Sequence, residues 1–160
     1  MYRVGIGFDA HRFSKGRKLI LGGMEITYEL GLEGHSDADV LTHAICDAVL
    51  GAIGEGDIGT HFPDSDPRYQ GISSLVLLKE TLALSGSKGL KIENIDSVLV
   101  CEKPRLSPYI PQIKKKLSSV IEFPEECLGI KATTTDGMGF TGRGEGIAAY
   151  AVVLVRREEP

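Results

Sequence analysis

Apolar residues follow two different periods along the chain. Residues 2–8 (YRVGIGF) read as a strand, and residues 18–27 (KLILGGMEIT) as a hairpin broken at a Gly-Gly pair. From 37 to 54 the period lengthens. Val40, Leu41, Ala44, Ile45, Ala48, Val49, Ala52 and Ile53 recur at three- and four-residue spacing and draw one apolar stripe along a helix. Ser36 or Asp37 is placed to cap its start, and the Gly-rich segment after Ile53 to end it. Residues 55–72 (EGDIGTHFPDSDPRYQGI) predict a long loop rich in Gly, Pro and Asp, a kind more often functional than idle in a compact domain. A second helix is predicted over 73–85, a strand over 95–101, a third helix over 109–120 entered through Pro111, and strands over 129–135 and 147–155. The run IAAYAVVLV at 147–155 is apolar on both faces. Such a strand needs cover on both sides, from a helix layer on one and something else, such as a subunit interface, on the other. The alternation predicts an α/β (α+β layer) fold: a mixed sheet with helices on one face, in one domain over residues 1–160.

Composition narrows the functional classes. With 160 residues and 42% hydrophobic content, the chain can bury a real core. A formal net charge of -4 argues against a general nucleic-acid binder, which would carry a basic face. It leaves an anionic substrate open, because local cations and metals can dominate one site. Cys46, Cys101 and Cys127 show no C-x-x-C spacing and read as reduced thiols of a cytoplasmic protein. No signal peptide or membrane span is expected.

The candidate chemistry lies in four segments. Asp9 and His11, two apart on a strand, point to one face. With His43 from the polar flank of the first helix, they describe a zinc site with an open fourth position. Asp47, one turn beyond His43, is placed to orient that imidazole. Each of these residues alone also reads as an ordinary turn or surface residue. His35 and Ser36, with Asp37 and Asp39, sit at a helix start, where a cap or a phosphate contact is equally natural. Asp57, Ile58 and Gly59, followed by Phe62, Pro63, Asp64, Ser65 and Asp66, either form turns or grip substrate hydroxyls. The segment from Lys131 to Gly146 places Thr133, Thr134, Thr135 and Asp136 ahead of a run of glycines whose backbone can approach a phosphate. Asp136 suits a hard cation such as magnesium. Lys103-Pro104-Arg105 follows a strand as a turn or a ligand contact, and Lys114–Lys116 read as the wet face of the third helix. No Walker or dinucleotide fingerprint occurs in the right context.

Taken in order, GFDAHRF, GHSDADVLTHAICDAVLGA, GDIGTHFPDSDP, EKPRLSPYIPQ and KATTTDGMGFTGRGEGI resemble the segments of the 2-C-methyl-D-erythritol 2,4-cyclodiphosphate synthase family over nearly the whole chain. The resemblance implies zinc on Asp9, His11 and His43. It implies substrate contacts from Asp9, Ala10, His11, His35, Ser36, Asp57, Ile58, Gly59 and the 62–66 loop. A cytidine and α-phosphate pocket would come from Cys101, Glu102, Lys103, Pro104, Arg105, Leu106, Ser107 and residues 133–136, with His35 and Thr134 stabilising the transition state. It further implies a second divalent ion, magnesium or manganese, at Asp136, where the family often has glutamate. The family is a homotrimer with sites between subunits, and Phe140 and Arg143 would lie near its threefold axis, where an isoprenoid diphosphate can bind. Two other readings of the same residues are a metal-dependent hydrolase or iron oxygenase built on the Asp/His/His set, and a binder of isoprenoid diphosphates without turnover.

Overall fold

The computed structural model describes residues 1–158. The strands are β1 (Tyr2–Ser14), β2 (Leu19–Leu21), β3 (Met24–Ile26), β4 (Gly31–Leu32), β5 (Leu90–Val100), β6 (Leu128–Thr133) and β7 (Gly146–Arg157). The helices are α1 (Val40–Ile53), α2 (Ile58–His61), α3 (Ser74–Ser87), α4 (Ile110–Ile121) and α5 (Gly139–Gly142). Five strands form one sheet in the order β4-β1-β7-β5-β6, antiparallel except for the parallel β5–β6 pair, while β2 and β3 form a separate hairpin. The sheet is therefore mixed, as the pattern predicts.

Several boundaries move, each for a local reason. β1 does not stop at Phe8. Pairing of Arg12 with Gly146 on β7 and of Phe13 with Leu32 on β4 carries it to Ser14, so Asp9 and His11 sit within the strand. α1 starts at Val40 because Asp39, rather than Ser36 or Asp37, is its cap. The Asp39 carboxylate accepts from Thr42 N and Thr42 Oγ1, and also from Gly22 N and Gly23 N in the hairpin turn. One buried side chain thus joins the hairpin to the helix start. The 55–72 segment is not all loop. Asp57 caps α2, and Asp66 caps a 3₁₀ turn at Pro67–Tyr69.

The core lies between α1 and the sheet. Gly5 and Gly7 on β1 explain how close that packing is. A Cβ on Gly7 would stand 1.9 Å from Ala44 O, and one on Gly5 1.9 Å from Ala48 O. With alanine every fourth residue on α1 and glycine on the strand, backbone meets backbone, and α1 carries His43 down onto the same face of β1 as Asp9 and His11.

The other sheet face is open. Val4 is 66% and Ile6 71% exposed, and Tyr2, Phe8, Tyr150 and Val152 are exposed beside them. The register pairs Ile6 with Val152 and Phe8 with Tyr150, whose ring centroids are 4.7 Å apart. The helix layer therefore covers one side of 147–155, and among the described residues of a single chain the second side has no cover. Among the described residues, no helix is long and apolar enough to cross a membrane.

Candidate active site

Asp9 and His11 reach the helix-facing side of β1, and His43 reaches them from the first turn of α1. Asp9 Oδ2 lies 2.8 Å from His11 Nε2 and 2.9 Å from His43 Nδ1, and the two nitrogens are 3.1 Å apart. Ligand atoms about 2.0 Å from a tetrahedral zinc stand roughly 3.3 Å from one another, so this spacing fits such an ion closely. The tautomer of His11 fits as well. Its Nδ1–H donates to Glu33 O at 2.7 Å, so Nε2, beside Asp9, is the nitrogen that can lose its proton and offer a lone pair to a metal. Burial works to raise the Asp9 carboxyl, but hydrogen bonds and charge from His11 and His43 outweigh it and hold the group well below the usual carboxylate range. Burial also works against a charged His11 ring, and the Asp9 carboxylate overcomes it, raising His11 above its ordinary value. The cluster is built to hold positive charge, and it is the one group of three or more potential metal ligands among the described residues.

Asp47 does not orient His43 as its spacing suggests. Its carboxylate accepts from Ile58 N at 2.7 Å and anchors α2 instead. The far side of the His43 ring meets hydroxyls: Nε2 is 2.8 Å from Ser74 Oγ and 3.1 Å from Ser36 Oγ.

The three ligands open into a cavity of about 320 Å³. Of the residues expected there, His35, Ser36, Ile58, Gly59, Phe62, Pro63 and Asp64 line it with Asp9, His11 and His43. Gly34, Tyr69 and Leu77 also contribute; Gly34 and Tyr69 lie in segments the sequence marks, but no side-chain chemistry singles out any of the three. Asp57 and Asp66 do not line it; their side chains are spent on caps, although Asp66 O accepts from His35 Nε2 at 3.2 Å. Ser65 is exposed outside the lining. Ala10 points to the opposite face of β1. Arg17 was not expected in the site, yet Nη1 donates to Gly34 O at 2.8 Å and Nη2 to Ser36 O at 2.6 Å, gripping the loop on either side of His35.

A second cavity, of about 390 Å³, lies at the ends of β5 and β6 and is lined by Cys101, Glu102, Arg105, Leu106, Ser107, Ala132, Thr133 and Thr134. Lys103 and Pro104 are in the adjoining turn and do not line it. Burial pushes the Cys101 thiol up to about 12, and its Sγ–H donates to Lys103 O, so it is no thiolate nucleophile at neutral pH. Glu102 Oε2 is buried with no hydrogen-bond partner among the described residues. Asp136 sits just beyond, in the left-handed region at φ 52°, which aspartate tolerates better than most residues. Thr134 Oγ1 donates to its Oδ1 at 3.3 Å. Thr135 turns away to bond Met138 O and Thr141. Phe140 lines a smaller hollow of about 270 Å³ with Ala10, His11, Arg12 and Glu145, and Arg143 pairs with Glu145 at 2.7 Å.

The first two cavities share no residue. Three ladder spacings, about 14 Å, separate β1 from β6 across the sheet. His35 belongs to one cavity and Thr134 to the other.

Comparison with known proteins gives a consistent result. The sequence profile of the YgbB family matches residues 2–156. The 2-C-methyl-D-erythritol 2,4-cyclodiphosphate synthase of Syntrophus aciditrophicus is 58% identical over 157 residues, covering 98% of this chain and 99% of the relative. The enzyme of the same name from Caldicellulosiruptor bescii is 59% identical over 155 residues, covering 97% and 99%. A solved 2C-methyl-D-erythritol-2,4-cyclodiphosphate synthase in its CDP-bound form superposes with a TM-score of 0.88 at 38% identity, covering 96% of this chain and 100% of the other. The chain belongs to the YgbB family, the family of these 2-C-methyl-D-erythritol 2,4-cyclodiphosphate synthases.

Proposed function

We propose that this chain converts 4-diphosphocytidyl-2-C-methyl-D-erythritol 2-phosphate to 2-C-methyl-D-erythritol 2,4-cyclodiphosphate and CMP, the non-mevalonate isoprenoid step that its relatives' name denotes. The observation that carries the proposal is the convergence of Asp9, His11 and His43 at the mouth of a cavity walled by His35, Ser36 and the 58–64 segment. An oxygen of the 2-phosphate attacks the β-phosphorus, and the bond from that phosphorus to the α-phosphate oxygen breaks with its electron pair, so CMP leaves. The attacking group is already an anion near neutral pH and the leaving group is a nucleotide phosphate. The demand is therefore for folding and charge neutralisation rather than for a strong base.

Each part of the chain has a share in that demand. Asp9, His11 and His43 would hold zinc, which when bound supplies Lewis-acid charge to a phosphate oxygen. His35 and Ser36 bring polar hydrogens to the folded methylerythritol phosphate, and Ile58, Phe62 and Pro63 give its carbon skeleton an apolar wall. The Cys101–Ser107 turn and Thr133–Thr134 would take the cytidine and α-phosphate, consistent with the CDP-bound relative. Asp136 would hold magnesium or manganese with phosphate oxygens helping to complete the shell, because among the described residues it belongs to no group of three or more potential protein ligands. A homotrimer would cover the open apolar face and bring the Thr134 cavity of one chain to the zinc cavity of its neighbour. Phe140 and Arg143 would then border an axial site for an isoprenoid diphosphate. The enzyme would work in the cytoplasm.

The test is incubation of purified protein with the cytidylyl substrate, Zn²⁺ and Mg²⁺, followed by ³¹P NMR. CMP and the cyclic diphosphate should appear in equal amounts. CMP with an open-chain bisphosphate would indicate a hydrolase, and binding without turnover would leave only a ligand carrier. Iron rather than zinc in the purified protein would favour the oxygenase reading.

A further inference from the structure

A chain of hydrogen bonds lies behind His43, on the side away from Asp9 and His11. His43 Nε2 is 2.8 Å from Ser74 Oγ, and Ser74 Oγ donates to Asp37 Oδ1. Ser74 N donates to Asp37 Oδ2 at 3.1 Å, and Asp39 N donates to Asp37 Oδ1 at 3.2 Å. Ser74 opens α3 and is 0% exposed, so no bulk water competes for its hydroxyl.

The direction of the chain follows from counting protons. A carboxylate only accepts, and a hydroxyl has one hydrogen to give. With that hydrogen on Asp37, Ser74 Oγ can only accept from His43. Nε2 must then carry a ring proton, so Nδ1, 2.9 Å from Asp9 Oδ2, is the nitrogen that can give up its proton and offer a lone pair to a metal. Ser36 Oγ, at 3.1 Å, shares the same proton as a second acceptor.

We propose that Asp37 and Ser74 form a positioning relay that fixes the tautomer and orientation of His43 and thereby sets the metal affinity of the Asp9–His11–His43 cluster. The relay rests on the reading of that cluster as a metal site. Neither residue touches the ligand atoms. Their action passes through the far nitrogen of one ligand, as carboxylates behind metal-bound histidines act elsewhere, here with a serine interposed. Asparagine at position 37 is a sharp perturbation. If its oxygen faces Ser74 Oγ, its amide meets Ser74 N–H, donor against donor. If it flips, its amide faces Ser74 Oγ and drives the hydroxyl hydrogen towards Nε2, which favours the wrong tautomer.

The experiment compares wild type, Asp37→Asn and Ser74→Ala as full-length protein. Zinc affinity is measured by competition with a chromophoric chelator, and melting temperature is read in metal-free and zinc-loaded states. Zinc binding should weaken about ten- to a hundredfold in both variants, and the melting gap between the two states should narrow. A merely structural role, joining the 34–39 loop to α3, would lower both melting temperatures alike and leave zinc affinity within about twofold of wild type; that result overturns the relay. Should Ser74→Ala fail to fold, Asp37→Asn, nearly the same in shape and partly exposed, carries the test alone. Wild-type protein that takes up no zinc would overturn the metal reading itself, and with it the relay.

Discussion

Arg17 shows how a residue outside the cavity can govern one inside it. Its guanidinium bridges Gly34 O and Ser36 O, and so fixes the backbone on both sides of His35 without lining the first cavity. Two charge-assisted hydrogen bonds in a planar fork are worth about 1.5–3 kcal/mol each, enough for a tenfold or larger effect on a positioned group. Arg17→Ala should lower kcat/KM by roughly ten- to a hundredfold while zinc content stays at the wild-type level. Arg17→Lys, which cannot bridge both carbonyls, should fall between; steady-state kinetics beside metal analysis read both effects. Wild-type kinetics in Arg17→Ala would show that the loop holds itself. The convergence of Asp9, His11 and His43 was legible in the sequence because strand alternation puts Asp9 and His11 on one face and the helix stripe leaves His43 on its flank. Arg17, Ser74 and Glu33 were not legible. Their contacts span from 17 to 38 residues and depend on how the 31–39 segment folds back, which no local spacing encodes. Asp47 misled for the complementary reason: helical spacing sets it near His43, but its carboxylate accepts from the backbone of Ile58 instead.

Among the elements, the α1–β1 contact decides whether the site exists. The Ala44 carbonyl occupies the space where a side chain on Gly7 would begin, and backbone cannot swing aside as a flexible side chain can. Gly7→Ala should destabilise the protein by about 1–3 kcal/mol or more, from overpacking, and should weaken zinc retention by lifting His43 away from Asp9. Chemical denaturation and metal analysis check the two effects; normal values of both would mean that α1 slides at no cost. Gly86 is the contrast. It lies in α3 with nothing within 4 Å of an added Cβ and without a positive φ. Gly86→Ala should therefore stabilise by about 0.5–1 kcal/mol, seen as a higher denaturation midpoint, and a loss of stability would show that this helix end needs glycine. The main helices and the sheet were readable from periodicity because long apolar patterns report burial directly. The extension of β1 was not, since Arg12–Ser14 carry no strong alternation and are held by pairing with β4 and β7. The short helices within 55–72 were hidden because Asp57 and Asp66 look the same in a turn as in a cap.

At the scale of the molecule, two features of the single chain bear on how it would assemble. An apolar sheet face with Val4, Ile6, Phe8, Tyr150 and Val152 stands open, and the two cavities lie apart across the sheet. The two-sided apolarity of 147–155 hinted at the first from sequence. The second required the strand order, because β6 follows β5 in the chain yet stands three places from β1. A cyclic homotrimer with head-to-tail interfaces would resolve both, joining one patch of each chain to a different patch of the next. The most direct measurement pairs two inactive variants: His11→Ala, damaged in the first cavity, and Lys103→Ala with Thr134→Ala, damaged at the second cavity and its adjoining turn. Alone, each trimer should be nearly dead, since every site contains one ruined half. After coexpression or joint refolding in equal amounts, roughly one site in four should be whole, because each half is intact with a probability of about one half. Activity should rise towards that fraction of wild type, whereas mixing folded trimers without subunit exchange should restore none. Verified mixed trimers as inactive as both parents would contradict the shared site and place both halves in a single chain.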